Sequence, residues 1–295
     1  MKRVALIVNP YSTGVTGDRV SAVIDALGEH VEVVASFTER RGHATELARD
    51  ADADAIVIFS GDGTYNEGLN AMTDRPFGFL PGGGTSVFAR ALGLPRDPVR
   101  AARTVGAALD EGRSRRISLG RVNGRRFCFS AGLGFDAEAV RRLDARGRKP
   151  GGERPGDAQF ALAFARMLLE RRGRWEPQIE ADEIGRVAFV MVANGDPYSY
   201  AGSFALHLTP QARFELGLDV IAPERIRRRD LPALLTYVAR GKGKVTTRGV
   251  HMLHDVDSLS VRCDKPLPLQ ADGEDLGDVE TAVFEAERDA VSVLV

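Results

Sequence analysis

Apolar runs punctuate the first third of the chain. Those at 4–8, 55–59 and 77–80 read as buried strands, and 31–35 as a shorter one. Between them the apolar positions fall at helical spacing. Val20, Val23, Ile24 and Leu27 follow Asp18, and Ala44, Leu47 and Ala48 share one face of 43–50. A helix is predicted from Ser86, stopping near Gly93 and Pro95. Asp97-Pro98 supplies an N-cap and a proline at the first helical position, ahead of Val99, Ala102, Val105 and Leu109. Strand and helix alternate, which predicts a mainly parallel sheet covered by helices.

From about Arg121 the texture changes. The pattern predicts a strand at 126–134, a helix near 135–143, a Gly/Pro/charge-rich loop at 146–156 and a helix at 160–169. Strand signals then dominate, at 187–193, 204–208, 218–221, 244–252, 258–263, 281–285 and 290–295. A run of strands after α/β units predicts a second, β-rich domain. The 295 residues are enough for two domains.

Composition narrows the function classes. With 43% hydrophobic and 27% charged residues the chain is of ordinary globular make-up. A net charge of −1 gives no global field toward nucleic acid or an anionic membrane, so any basic surface must be local. Cys128 and Cys263 lack C-x-x-C spacing and read as reduced cytosolic thiols. The apolar run at 4–8 is too short for a signal-peptide core, and no stretch approaches a membrane span. Only five lysines stand among 40 basic residues, which points to a GC-rich bacterial genome.

The candidate chemistry lies in the turns. Gly61 and Gly63 bracket Asp62 after an apolar strand, so the backbone can turn sharply and present amide N–H groups. Thr64 and Glu67 have the spacing of a capping box that would start a helix right after the turn. A strand, a glycine turn and a helix N-terminus make an anion site. An acid inside it makes sense if a divalent cation sits between carboxylate and phosphate. The plain alternative is a strand-to-helix turn with Asp62 solvated. The run lacks the third glycine of the dinucleotide fingerprint and the Gly-Lys-Ser/Thr of a Walker A loop. The turns at 9–14, 61–64 and 82–85 all follow strands, so they should share the carboxyl edge of the sheet, where ligands bind.

Asn9-Pro-Tyr-Ser-Thr-Gly14, Ser60-Gly-Asp-Gly-Thr-Tyr-Asn-Glu67 and Pro81-Gly-Gly-Gly-Thr85 resemble the three nucleotide-site motifs of the diacylglycerol kinase catalytic-domain family. These are soluble lipid kinases related to sphingosine and ceramide kinases. Gly132-Leu-Gly-Phe-Asp-Ala137, Asn194-Gly-Asp-Pro-Tyr198 and Ala271-Asp-Gly-Glu274 follow in the family's order, so the resemblance spans essentially the whole chain. It implies an α/β plus β fold: a three-layer α/β nucleotide-binding domain over 1–121, like those of diacylglycerol and NAD kinases, and a β-sandwich lipid-substrate domain over 122–279. Strands at about 280–295 return to the first domain, and the active site lies in the interdomain cleft.

The reaction implied is transfer of the ATP γ-phosphoryl group to a lipid hydroxyl with Mg²⁺, by default converting diacylglycerol to phosphatidic acid. By the same resemblance Asn9, Ser12, Gly61, Gly63, Thr64, Glu67, Gly83, Gly84 and Thr85 hold the nucleotide. Asp62 and Glu274 serve the metal, and Asp272 is the general base. The implied setting is the cytoplasm, with transient peripheral contact with lipid at the inner membrane face, no nucleic-acid partner and a homodimer as the family expectation. Two departures stand out. Ser86-Val87 follows Thr85 where many members carry Asn-Asp, and Phe214-Glu-Leu-Gly-Leu-Asp219 replaces a motif that holds a structural metal in some relatives. An NAD kinase-like small-molecule kinase and a non-catalytic nucleotide- or lipid-binding protein are the rival readings.

Other residues carry two readings. Asp136 either joins the acidic cluster or caps the helix after it. His251 and His254, three apart in a strand, point to opposite faces and read as no metal pair. Tyr198 and Tyr200 read as packing residues, with substrate contact as the other reading. Arg225, Arg227, Arg228 and Arg229 form either a solvated helix start or a weak contact with an anionic surface.

Overall fold

In the computed structural model, β1 (Arg3–Val8), β2 (Glu32–Phe37), β3 (Ala55–Ser60) and β4 (Phe77–Pro81) run parallel in the order β4-β3-β1-β2. The structure describes residues 1–144, 166, 167, 170–241 and 248–295. The predicted loop at 146–156, most of the predicted helix at 160–169 and the start of the predicted strand at 244–252 lie outside them. Helices α1 (Gly17–Gly28), α2 (His43–Asp50), α3 (Asp62–Leu69), α4 (Val87–Ala91) and α5 (Pro98–Asp110) connect the strands. All six residues of β3 are buried, as expected of a central strand covered on both faces. One helix pair, α1 and α5, and a second, α2 and α3, provide the cover.

Register brings the turns together. Val8 pairs with Phe59, and Phe59 with Leu80, so β1, β3 and β4 end level and their turns leave one edge. Asp97 caps α5 as its sequence predicts, accepting from the Arg100 N–H at 2.8 Å. The predicted capping box of Thr64 and Glu67 is not formed. Helix α3 begins at Asp62 with Gly61 as N-cap, because the Thr64 and Tyr65 N–H groups already close on the Gly61 carbonyl. Thr64 therefore lies inside the helix, its hydroxyl free for tertiary partners.

Contacts within the chain divide it into two units. Met1–Ser118 with Asp289–Val295 form one, and the described residues from Leu119 to Arg288 the other. The second contains the latter half of β5 (Arg115–Val122), then β6 (Arg125–Phe127), β7 (Ser130–Leu133), α6 (Phe135–Asp144), β8 (Ile179–Ala181), β9 (Gly185–Val187) and β10 (Val190–Ala193). It continues through β11 (Ser199–Ala201), β12 (Phe204–Leu206), β13 (Leu218–Pro223), α7 (Leu231–Arg240), β14 (Val250–Val256), β15 (Ser258–Ala271) and most of β16 (Glu274–Val293). Its main order is β14-β13-β10-β7-β15-β16, antiparallel throughout. Phe127, Leu133, Ile179, Val220 and Phe284 belong to its core.

Four strand predictions need correction, the first being 187–193, which is β9 and β10 with a break where the Ala188 N–H donates to the Pro223 carbonyl. The run 126–134 is two strands, because the N–H groups of Cys128 and Phe129 turn to a carboxylate instead of a neighbouring strand. The pieces at 281–285 and 290–295 are one 20-residue strand. Charged residues break its apolar pattern, yet Glu287 is held by Arg121 and Arg126 and the backbone runs on. Strands β5, β8 and β11, which carry mixed polar and apolar residues, have no counterpart in the predicted pattern.

Candidate functional site

In the first unit the turns after β1, β3 and β4 interlock through backbone. The Gly14 N–H donates to the Gly82 carbonyl at 2.8 Å, and the Gly82 N–H to the Ser60 carbonyl at 2.6 Å. A Cβ on Gly83 would lie 2.8 Å from the Gly61 Cα, so this approach admits glycine alone. Behind it the Tyr65 hydroxyl contacts the Ser60 and Leu80 carbonyls at 2.8 and 2.7 Å, tying the ends of β3 and β4.

Side chains extend the cradle. A hydroxyl chain runs from Ser12 to Ser60 (2.8 Å) and from Ser60 to Thr64 (2.7 Å). The Asn9 amide donates to the Thr64 hydroxyl at 3.0 Å. Asn9, Ser12 and Thr64, predicted separately, are thus one connected group, linked by the buried Ser60 that sequence reasoning did not single out. Its signal was a polar residue closing an otherwise apolar run. Gly63, Thr85 and Glu67 are half-buried and Gly84 is exposed. The Glu67 carbonyl accepts from the Thr45 hydroxyl at 2.7 Å.

Asp62 has a structural use as well. Its two oxygens accept the Val87 and Phe88 N–H groups, each at 2.9 Å. These are orphan donors at the start of α4, whose own N-cap, Ser86, is left-handed and makes no side-chain cap. Ser86 instead accepts from the Gly83 N–H at 3.2 Å, so the residue that departs from the family motif stabilises the third turn. Asp62 is half-buried, and a carboxylate has acceptor sites for more than two partners. That fits Mg²⁺, which keeps several waters and binds proteins through one or two carboxylates. Interlocked glycine turns, hydroxyls and a helix N-terminus at the carboxyl edge suit a phosphate-bearing ligand.

In the second unit Asp272 is buried and has φ +49°. Its carboxylate accepts N–H groups from Cys128 (2.6 Å), Phe129 (3.0 Å) and Ser130 (3.2 Å). Next to it, the Gly273 N–H donates to the Gln270 side chain at 2.9 Å, whose amide donates to Asp136 at 2.7 Å. The Tyr198 hydroxyl also donates to Asp136, at 3.3 Å. Asp136 is not the cap of α6, which already contains it; its partners are Gln270, Tyr198 and the N–H of Ala137. Burial pushes its carboxyl up to about 6, against these donors. Tyr198 packs against the Trp175 and Phe189 cluster, as expected, and its hydroxyl adds the polar contact. Glu274 is paired with Arg125 at 2.9 Å.

His254 bonds Asp219 at 2.8 Å, and His251 bonds Glu224 at 3.3 Å, so the two histidines serve different carboxylates. Among the described residues no cluster of three or more His, Cys, Asp or Glu has metal-site geometry, and no helix is long and apolar enough to cross a membrane.

Residues 3–122 match the family described as Diacylglycerol kinase catalytic domain, and residues 130–295 the YegS C-terminal NAD kinase beta sandwich-like domain. A Bacillus subtilis (strain 168) protein named Diacylglycerol kinase is 38% identical over 144 residues, which is 45% of this chain and 46% of that protein. A Staphylococcus carnosus (strain TM300) protein of the same name is 26% identical over 285 residues, 92% of this chain and 89% of its own length. A solved structure from Bacillus anthracis str. Sterne shares the fold with a TM-score of 0.78 at 20% identity, covering 99% of this chain and 95% of the other. A second from that organism, described as a diacylglycerol kinase, gives 0.71 at 18%, covering 99% and 96%.

Proposed function

Since the chain belongs to the diacylglycerol kinase family of lipid kinases, we propose that it transfers the γ-phosphoryl group of ATP to the hydroxyl of diacylglycerol, giving phosphatidic acid. The observation that carries this reading is the cradle of three glycine turns at the level ends of β1, β3 and β4. Phosphoryl transfer needs mainly positioning and charge neutralisation, and a rigid backbone cradle supplies the first.

In this reading the turns at 61–64 and 82–85 hold the phosphates through backbone N–H groups, with Asn9, Ser12, Thr64 and Thr85 adding polar side-chain contacts. Mg²⁺ supplies charge neutralisation when bound, and Asp62 is the carboxylate that would hold it through water. Glu274, paired with Arg125, is the supporting carboxylate of the second unit. Asp272 takes the proton of the acceptor hydroxyl. The backbone donors from 128–130 hold its carboxylate in one orientation, and the Asp136–Gln270 pair holds the Gly273 turn beside it.

A second reading has a specific observation in its favour. Asp62 and Asp272 both engage backbone N–H groups, as purely structural carboxylates do. A protein that binds nucleotide or lipid without turnover would keep both. The test is transfer of labelled γ-phosphate from ATP, with Mg²⁺, to diacylglycerol in detergent micelles, with NAD as a parallel acceptor. Labelled phosphatidic acid supports the proposal. Labelled NADP alone makes the protein a small-molecule kinase. ATP binding with no labelled product favours the non-catalytic reading.

A further inference from the structure

Helix α7 breaks the usual rule for a surface helix. Leu231, Leu234 and Val238 pack inward on a cluster with Trp175, Phe189 and Ile226. The opposite face should then be charged or polar. It consists instead of Pro232, Leu235, Thr236 and Ala239, all exposed, with Leu235 at 53%. The helix has no charged residue before Arg240. Beside it, the His207 N–H after β12 donates to the Val238 carbonyl, and β12 presents Phe204 at 75% exposure.

The approach to this face is basic. Arg225, Arg227 and Arg228 are exposed and make no ion pair among the described residues, while Arg229 reaches only its neighbour Asp230 at 3.8 Å. Of the acids nearby, Asp230 is turned inward and accepts the Arg227 N–H at 2.9 Å, and Glu224 bonds His251 at 3.3 Å. An uncharged, partly apolar helix face lying in the surface and led by unpaired arginines matches an interfacial helix. It complements negative charge spread over an apolar layer.

We propose that the outer face of α7, with Phe204 of β12 and Arg227 and Arg228 at its head, docks on the surface of an anionic phospholipid bilayer. Leu235 and Phe204 enter the headgroup boundary and the arginines meet lipid phosphates. The assignment stands on the exposed face itself. It deepens the lipid-kinase reading by giving the protein a route to its acceptor, but binding is measured without nucleotide, so failure of one leaves the other intact.

The full chain is sedimented with vesicles of phosphatidylglycerol and phosphatidylcholine, and with pure phosphatidylcholine, at low and high salt. Wild type is expected to bind the anionic vesicles and to lose binding at high salt. Arg227→Gln with Arg228→Gln should weaken binding about thirtyfold, each arginine contributing roughly 1 kcal/mol near such a surface. Leu235→Glu should weaken it at least about tenfold, since it replaces an inserted apolar group by a like charge. Circular dichroism checks that each variant is folded. Vesicle binding by folded variants equal to wild type overturns the proposal, as does no wild-type binding at low salt. Sizing chromatography provides the last check: a dimer abolished by Leu235→Glu, with vesicle binding unaltered, assigns the face to a second copy and overturns the bilayer.

Discussion

Gly83→Ala tests whether the interlocked turns form the nucleotide cradle. The new methyl would sit 2.8 Å from the Gly61 Cα. Unstrained carbon contacts lie at about 3.5–4.0 Å, so the two turns must part by roughly 0.7–1.2 Å. The obstacle is backbone on both sides, which cannot rotate away as a side-chain tip can. Overpacking of this kind costs about 1–3 kcal/mol. If the cost falls on the ligand-binding arrangement, ATP affinity drops roughly fivefold to 150-fold. Gly28→Ala, in α1 outside the three turns, is the internal control, because nothing lies within 4 Å of its new methyl. It should bind ATP within about twofold of wild type. Titration calorimetry with ATP and Mg²⁺ reads affinity, and thermal melting reads stability. Equal affinity in wild type and both variants refutes the reasoning. A lower melting temperature for Gly83→Ala with unchanged affinity would show the close approach to be structural and would move the nucleotide elsewhere.

Asp272→Asn should lower turnover about a hundred- to ten-thousand-fold with ATP affinity nearly unchanged, and unchanged turnover would remove Asp272 from the role of base. The same change sets an amide N–H against backbone donors at 128–130, so melting should also reveal a loss of about 1.5–3 kcal/mol. Asp136 binds its proton more tightly folded than unfolded, about 6 against the ordinary 3.8, so its contribution is fully present below pH 3.8 and is lost as pH rises to about 6. The stability of Asp136→Asn relative to wild type should therefore improve between pH 4 and 7, by up to about 3 kcal/mol, and a pH-independent difference in denaturant titrations would contradict the buried acid. Tyr65→Phe removes the hydroxyl shared by the Ser60 and Leu80 carbonyls and should cost about 1–3 kcal/mol by chemical denaturation; a neutral result would mean the clamp carries no weight.

The sequence by itself determined the local elements and their alternation. The uncharged run of β3, the Asp97-Pro98 start of α5 and the helical spacing in α1 are legible because each depends on neighbours within a turn or two of chain. The glycine turns were legible too, since the residue types that permit a sharp turn are few. What each polar group does was decided only by tertiary structure. Asp62, read as a partner of a cation, also caps α4, which begins 25 residues later. Thr64, read as a cap, lies inside α3 because the preceding glycine carbonyl takes the first helical donors, and its hydroxyl is spent on Asn9 and Ser60. Asp272 reaches back 144 residues to the N–H of Cys128 and thereby splits one predicted strand into two. Such pairings depend on strand register and on which donors the ladder leaves unpaired, quantities that periodicity along the chain does not encode.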